Sequence, residues 1–352
     1  MTDAEGAPLA GVRVLEAGPL LPVPSTGANL ARLGASVTRI EAPSGDPARV
    51  LYGGWLHELY GHDKESVVLD LTTGAGRDAL GDLVENTDVV VVGHRPAAAR
   101  RLGLDADQIR IRRPDAIHCS ITGYASDGPD RDRPGHDLSF LARSGALTEA
   151  AGPTAIGSRP RRPAIPVADL AAGAVATQAI LAALIGRGAG RPVRPIEIPI
   201  ADVSIAWMAP RLGHAIDNRF APALDPANDI YRCADGRHIA IAAIEPRFWS
   251  SLCDVLRADV ELPDDVASWP SSLRIERTPT LLRVLTDAFR SRTSEAWLRV
   301  LHDAGVPADP VLDSHDVVSR LGADVAGWRH RAVPLHLVPE RHCHPDATGS
   351  EL

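Results

Sequence analysis

Gly11-Val12-Arg13-Val14-Leu15-Glu16, followed by Ser36-Val37-Thr38-Arg39-Ile40-Glu41, decides the fold class. Both stretches are short and read as strands bounded by turn residues. Between them, Gly18 to Pro24 reads as a proline-rich turn, Ser25 as a cap, and Thr26 to about Leu33 as a helix that Gly34 ends. A strand–helix–strand unit brings its strands together in parallel. The turn lacks Gly-x-Gly-x-x-Gly, so a dinucleotide held in the glycine-rich way is not expected.

The same alternation continues outward. Ser44 to Asp63 reads as a loop, Ser66 to Leu71 as a third strand, and Gly76 to Glu85 as a helix. Asp88-Val89-Val90-Val91-Val92 has the β-branched run of a central strand buried on both faces. Ala97 to Leu102 reads as a short helix and Ala116 to Ile121 as a fifth strand. Ala168 to Leu184 is a small-residue helix, Ile196 to Ile200 a strand, and Asp202 to about His214 a helix with Trp207 and Met208 on an apolar face. Beyond a linker at Arg219 to Pro226 the composition shifts. Asp229 to Ala242 reads as a hairpin about Asp235-Gly236. Helices follow from Glu245-Pro246 to about Leu256, near Thr280–Arg290 and near Ser294–Ala304, with Asp264 to Arg274 as loop. The tail from Val318 is irregular.

The chain has 352 residues, 45% hydrophobic and 23% charged, with a formal net charge of −8. That balance argues against broad nucleic-acid binding; an anionic ligand needs a local arginine cluster. Cys119, Cys233, Cys253 and Cys343 show no paired spacing, as expected of reduced thiols in a cytoplasmic protein. No signal pattern is expected from Met1 to Pro8, and no apolar run of the roughly 18 residues that a membrane span needs. His342-Cys343-His344 is too tightly spaced for a metal site of its own.

Two stretches carry chemistry. Gly135-His136-Asp137-Leu138-Ser139-Phe140 puts a histidine in a loop that opens onto an apolar segment. Val167-Ala168-Asp169-Leu170 puts an aspartate just ahead of the small-residue helix. A histidine and a carboxylate in one cleft can take a proton from one face of a substrate and return it to the other. The plain alternative is a loop histidine and a helix-capping aspartate. In open α/β sheets, ligands sit at the carboxyl ends of the strands. Those ends carry Arg95, Thr122-Gly123-Tyr124 and the loop to His136. Arg159, Arg161 and Arg162 form a basic patch read as a solvated loop.

The ordered series Leu9–Glu16, Leu33–Val37, Val67–Leu71, Arg95-Pro96, Arg101–Leu104, Ser120–Tyr124, Gly135–Asp137, Val167–Asp169, Tyr231–Gly236 and Ala243–Pro246 resembles the family III CoA-transferases. Within them it is similar to the α-methylacyl-CoA racemase branch. The resemblance implies an α/β fold with a Rossmann-like parallel-sheet large domain, a smaller α+β domain, and an interlocked homodimer with the active site between subunits. It implies a large CoA-binding domain over residues 1–190, completed by 312–352, a linker helix region over 191–226, and a small domain over 227–311. His136 and Asp169 would be the two acid/bases, and Glu245 would orient the histidine from the partner subunit. Leu69, Asp70, Leu71, Gly93 and His94 would line the nucleotide of CoA. Arg95 and Arg101 would hold its phosphates, a task suited to guanidinium geometry. Gly135, Asp137, Leu138, Ser139 and Phe140 would border it. Where racemases often carry Arg before Pro43 and Lys after the Leu-Asp-Leu strand, this chain has Ala42 and Thr72.

The implied activity is racemisation of 2-methyl-branched acyl-CoA thioesters through an enolate, with CoA entering as part of the substrate and no separate cofactor. Two alternatives stay open. In the transferases the aspartate matching Asp169 is a nucleophile that forms an acyl anhydride and moves CoA between acids. A homologue without turnover, or with an altered substrate, is the other.

Overall fold

The computed structural model describes residues 6–149, 162–212 and 225–321. Arg159, Arg161, His214, most of the linker, and the tail with His342, Cys343 and His344 lie outside the described residues. The chain forms two compact units. One holds the described residues up to Thr122 together with Gly173–Ile198; the other holds Gly123–Ala172 and Pro199–Arg320.

The first unit is a parallel α/β sheet. Its elements are β1 (Arg13–Ala17), α1 (Pro22–Arg32), β2 (Ser36–Glu41), α2 (Trp55–Gly61), β3 (Lys64–Val68), α3 (Gly74–Glu85), β4 (Val89–Val92), α4 (Pro96–Leu102), α5 (Ala106–Arg112) and β5 (Ile117–Thr122). The sheet order is β3-β2-β1-β4-β5-β6, with β6 at Ile196–Pro199. Every pairing from β3 to β5 is parallel. The four valines of β4 are fully buried, as a strand covered on both faces requires.

Three local expectations shift. The helix after β1 begins at Pro22 rather than Thr26, because proline's fixed φ suits a first helical turn. Ser25 lies inside α1 and donates to the Pro22 carbonyl (3.0 Å) instead of capping. The third strand is Lys64–Val68 rather than Ser66–Leu71. The Lys64 ammonium donates to the buried Glu16 carboxylate (2.7 and 2.8 Å), which also accepts from Arg39 (2.8 Å). That anchor fixes the start of the strand, and burial brings Lys64 down to about 8 against the pull of Glu16. The stretch read as loop over Ser44–Asp63 contains α2 and two short 3₁₀ turns, broken by left-handed residues at Tyr52, Gly53 and Gly54.

The second unit contains α6 (Asp137–Ser144), α7 (Ala146–Glu149), the first turn of α8 (Val167–Gly188) and α9 (Ile200–Trp207). It continues through the hairpin β7 (Asn228–Arg232) and β8 (His238–Ala242), where Gly236 takes φ +79° in the expected Asp-Gly turn. Then come α10 (Pro246–Leu256), α11 (Ser271–Glu276), α12 (Thr278–Phe289), α13 (Ser294–Asp303), β9 (Ala308–Pro310) and α14 (Ser314–Leu321). β9 pairs antiparallel with β8. Trp249, Leu285, Phe289 and Trp297 fill the core beneath this sheet. The loop expected over Asp264–Arg274 is partly helical. Arg274 is buried there because it closes an ion pair with Asp225 (2.7 Å) and donates to the Ile244 carbonyl (2.8 Å). α9 ends at Trp207, which is 56% exposed, next to exposed Ile205.

One expectation about membranes is corrected. α8 is long and apolar enough to cross a bilayer by length and composition. Its apolar face is used in packing: Ala176 and Ile180 are fully buried, and Thr26 and Asn29 of α1 donate to the Gly173 carbonyl (3.3 Å) and the Thr177 hydroxyl (3.1 Å).

Candidate active site and nucleotide cavity

The first unit carries a cavity of about 300 Å³ at the carboxyl ends of its strands. Strand order reverses between β1 and β4, and open α/β sheets hold ligands at such a reversal. The walls come from Ala17-Gly18-Pro19 after β1, Ile40 to Pro47 after β2, Leu69 to Thr72 after β3, and His94 and Leu102. Gly18 and Gly93 let the two strand ends approach; a Cβ on Gly18 would lie 2.9 Å from the Gly93 nitrogen. Gly93 donates its N–H to the Ala17 carbonyl (2.9 Å). His94 Nδ1 lies 3.1 Å from the same carbonyl, and burial holds this imidazole below its usual range. Glu41 is buried in the cavity wall. It accepts from Arg49 Nε and Nη2 (2.8 and 2.7 Å), from Ser66 Oγ (2.5 Å) and from the Asp46 N–H (3.3 Å). The Arg49 hydrogen bonds, helped by Ser66 and against burial, hold Glu41 at about 2.

Of the residues singled out in the sequence, Leu69, Asp70, Leu71 and His94 line this cavity. Gly93 shapes it through the strand-end contact. Arg95 caps α4 and Arg101 lies in its last turn; both are exposed and neither is in the wall. In the Ile40–Pro47 wall only Ala42, before Pro43, stood out in the sequence, as a departure from the racemase pattern; the rest had position as its signal, since it follows the end of a parallel strand. Ala42 and Thr72 both face the cavity.

The second unit holds His136 and Asp137 at the start of α6, and Asp137 bonds the first turn of α8, which carries Asp169. His136 takes extended backbone at the cap position of α6 and is exposed. Its N–H donates to Ser139 Oγ (2.9 Å), and that hydroxyl donates back to the His136 carbonyl (2.6 Å). Leu138 is exposed, and Phe140 is buried edge-on to Tyr124, with ring centroids 5.5 Å apart. A Cβ on Gly135 would lie 2.6 Å from the Phe140 ring, so that close approach requires glycine.

Asp169 lies within the first turn of α8, not ahead of it. The helix starts earlier because Leu170 N–H already bonds the Pro166 carbonyl (3.1 Å). The capping acceptor is Asp137, whose Oδ1 takes the N–H of Ala168 (2.8 Å) and of Asp169 (3.3 Å). Among the described residues, no cation or hydrogen-bond donor holds the Asp169 carboxylate. Burial first, and the charge of Asp137 second, push it up to about 7. Glu245 is exposed at the cap position of α10, and no hydrogen bond joins it to His136 among the described residues.

A half-buried carboxylate with no donor among the described residues can act as a nucleophile or as an acid/base. The class of protein follows from comparison. The sequence model of CoA-transferase family III matches residues 9–330, and the chain belongs to that family. It is therefore an enzyme of a family that acts on acyl-CoA.

Its relatives include the probable fatty acyl-CoA transferase Rv3272 of Mycobacterium tuberculosis, 32% identical over 87% of this chain and 83% of that protein. The (R)-2-hydroxy-4-methylpentanoate CoA-transferase of Clostridioides difficile is 26% identical over 88% and 81%. Human α-methylacyl-CoA racemase is 28% identical over 88% and 79%. A crystal structure of Rv3272 superimposes with a TM-score of 0.78 at 30% identity, covering 89% of this chain and 86% of that one. The parallel sheet with a small antiparallel sheet is thus the fold of this family. Transferases outnumber the racemase among these three relatives, so the racemase branch is not singled out.

Proposed function

We propose that the protein moves CoA between two carboxylic acids, with Asp169 as the nucleophile. One observation carries the reading: Asp169 is a shielded carboxylate in a helix first turn, held by no donor among the described residues, in a chain whose relatives include named CoA-transferases. The Asp169 carboxylate attacks the thioester carbonyl and expels the CoA thiolate, leaving a mixed acyl anhydride. The thiolate attacks the Asp169 carbonyl of that anhydride and releases the first acid as its carboxylate. A second carboxylate reverses both steps and leaves as the new thioester. The cavity at the strand ends takes the nucleotide of CoA, with Leu69, Asp70, Leu71 and His94 in its wall. Ionised Asp169 is the attacking form, so activity rises with pH through about 7.

A second reading is favoured by His136, which directly precedes the Asp137 that accepts the Asp169 N–H. A group at about 7 is matched to proton transfer near neutral pH. His136 would remove the α-hydrogen of a 2-methyl-branched acyl-CoA and Asp169 would return one to the opposite face. Exposed Glu245, unbonded to His136 within the chain, suits a homodimer in which it orients the partner's His136.

One experiment separates the readings. The protein is incubated in D₂O with an optically pure 2-methylacyl-CoA and a ¹³C-labelled free acid, and the products are followed by mass spectrometry. Labelled acyl-CoA without α-deuterium, together with an acyl adduct on the Asp169 peptide, is expected. α-Deuterium with loss of optical purity and no labelled thioester would sink the transferase reading in favour of the second.

A further inference from the structure

We propose that Asp137 is a positioning residue for Asp169: its carboxylate clamps the first turn of α8 onto α6 and places a like charge near the Asp169 side chain. The proposal rests on the reading that Asp169 does the chemistry.

The geometry is specific. Asp137 is the first residue of α6, and 31 residues separate it from Ala168, whose N–H it accepts at 2.8 Å. The same oxygen accepts the N–H of Asp169 at 3.3 Å. The first N–H groups of a helix have no partner within it, so an acceptor from another segment fixes where that turn sits. Here the acceptor is itself an anion. It satisfies the backbone of Asp169 while its charge opposes ionisation of the Asp169 side chain.

Among the described residues, no other charged group acts on Asp169. Arg143 of α6 donates to Asp130 (2.8 Å), and both Arg143 and Arg133 lie over the Tyr124 ring. His136, Arg162 and, on α9, Asp202 are exposed. The upward displacement of Asp169 follows from burial and Asp137 together.

Two substitutions separate the clamp from the charge. Asp137→Asn keeps an oxygen acceptor and removes the charge. Asp137→Ala removes both. Protonation of Asp169 is read from the infrared band of the protonated carboxyl, assigned by its loss in Asp169→Asn. Protection of the Ala168 and Asp169 amides is read by hydrogen exchange. Neither readout needs turnover.

The Asp169 midpoint should fall by about one pH unit in Asp137→Asn, a shift of the size one nearby like charge produces. The low-pH limb of kcat/KM should move with it. Amide exchange should quicken about tenfold or more in Asp137→Ala and much less in Asp137→Asn. An unmoved midpoint in Asp137→Asn overturns the proposal, and so do amides that stay protected in Asp137→Ala. Where Asp137→Ala does not fold, the Asp137→Asn midpoint decides alone. A shifted midpoint in a protein showing neither CoA transfer nor α-exchange leaves the positioning role standing and removes the proposed function.

Discussion

Glu41 in the wall of the sheet-end cavity and Asp169 in the first turn of α8 are both carboxylates shielded from water, and they titrate at opposite extremes. Glu41 sits at about 2 and Asp169 at about 7. Burial pushes both upward; it is the larger cause at Asp169 and is outweighed by hydrogen bonds at Glu41. Glu41 is enclosed by donors, namely the Arg49 fork, the Ser66 hydroxyl and the Asp46 amide. Among the described residues Asp169 has no such donor, and the charge that acts on it is another carboxylate, Asp137. Donors commit a carboxylate to holding a wall together. A like charge and no donor leave one available for chemistry.

The largest expected effect tests the second half of that comparison. Asp169→Ala should lower kcat/KM for CoA transfer by about 10²–10⁴-fold, the range for a group that acts directly in catalysis. A loss under tenfold in a correctly folded variant would show that the unpaired carboxylate is not the reacting group.

Next in size is the donor side. Arg49→Ala should cost about 1–3 kcal/mol of stability at pH 7 in urea unfolding; Arg49 is half-exposed, which keeps the figure modest. Glu41 lies below its ordinary 4.5 in the folded state, so its contribution is present above that value and is lost as pH falls towards about 2. The deficit of the variant should therefore shrink across that acid window. A deficit independent of pH would mean that Arg49 acts through packing.

A smaller effect of opposite sign is expected at Asp169. Its folded-state value is raised, so protonation favours the fold, and stability is lost as pH rises from about 4 through about 7. Asp169→Asn removes that cost. It should raise Tm by about 2–4 °C more at pH 8 than at pH 5 in calorimetry. Equal shifts at the two pH values would place Asp169 in an ordinary environment.

The smallest effect is expected at His136. His136→Ala should change CoA transfer by less than about tenfold, because the nucleophile in that reaction is the carboxylate. A loss as large as that of Asp169→Ala would make the pair a two-base device and favour α-proton exchange.

Much of the architecture was legible because it is written locally. The strands around α1, the valine run of β4 and the Asp-Gly hairpin each announce themselves within a few residues. Errors fell where a distant partner decided a boundary. Lys64 begins β3 because it reaches Glu16, and Arg274 belongs to a helix whose buried face meets Asp225. For the site, Gly135-His136-Asp137 and Asp169 stood out by residue type, and Leu69 to Leu71 and His94 by their place after strands. In the Ile40–Pro47 wall only Ala42, before Pro43, stood out, through the family resemblance.

The sequence alone determined the parallel sheet, the hairpin unit and the candidate chemical groups, because side-chain period and turn chemistry act over a few residues. Only the tertiary structure decided what those groups are. It set Asp137 against the amides of a turn 31 residues away and put that charge near the shielded Asp169. It also enclosed Glu41 in donors. A carboxylate's proton affinity depends on what stands within a few ångströms of it, and that neighbourhood is assembled from segments far apart in the chain.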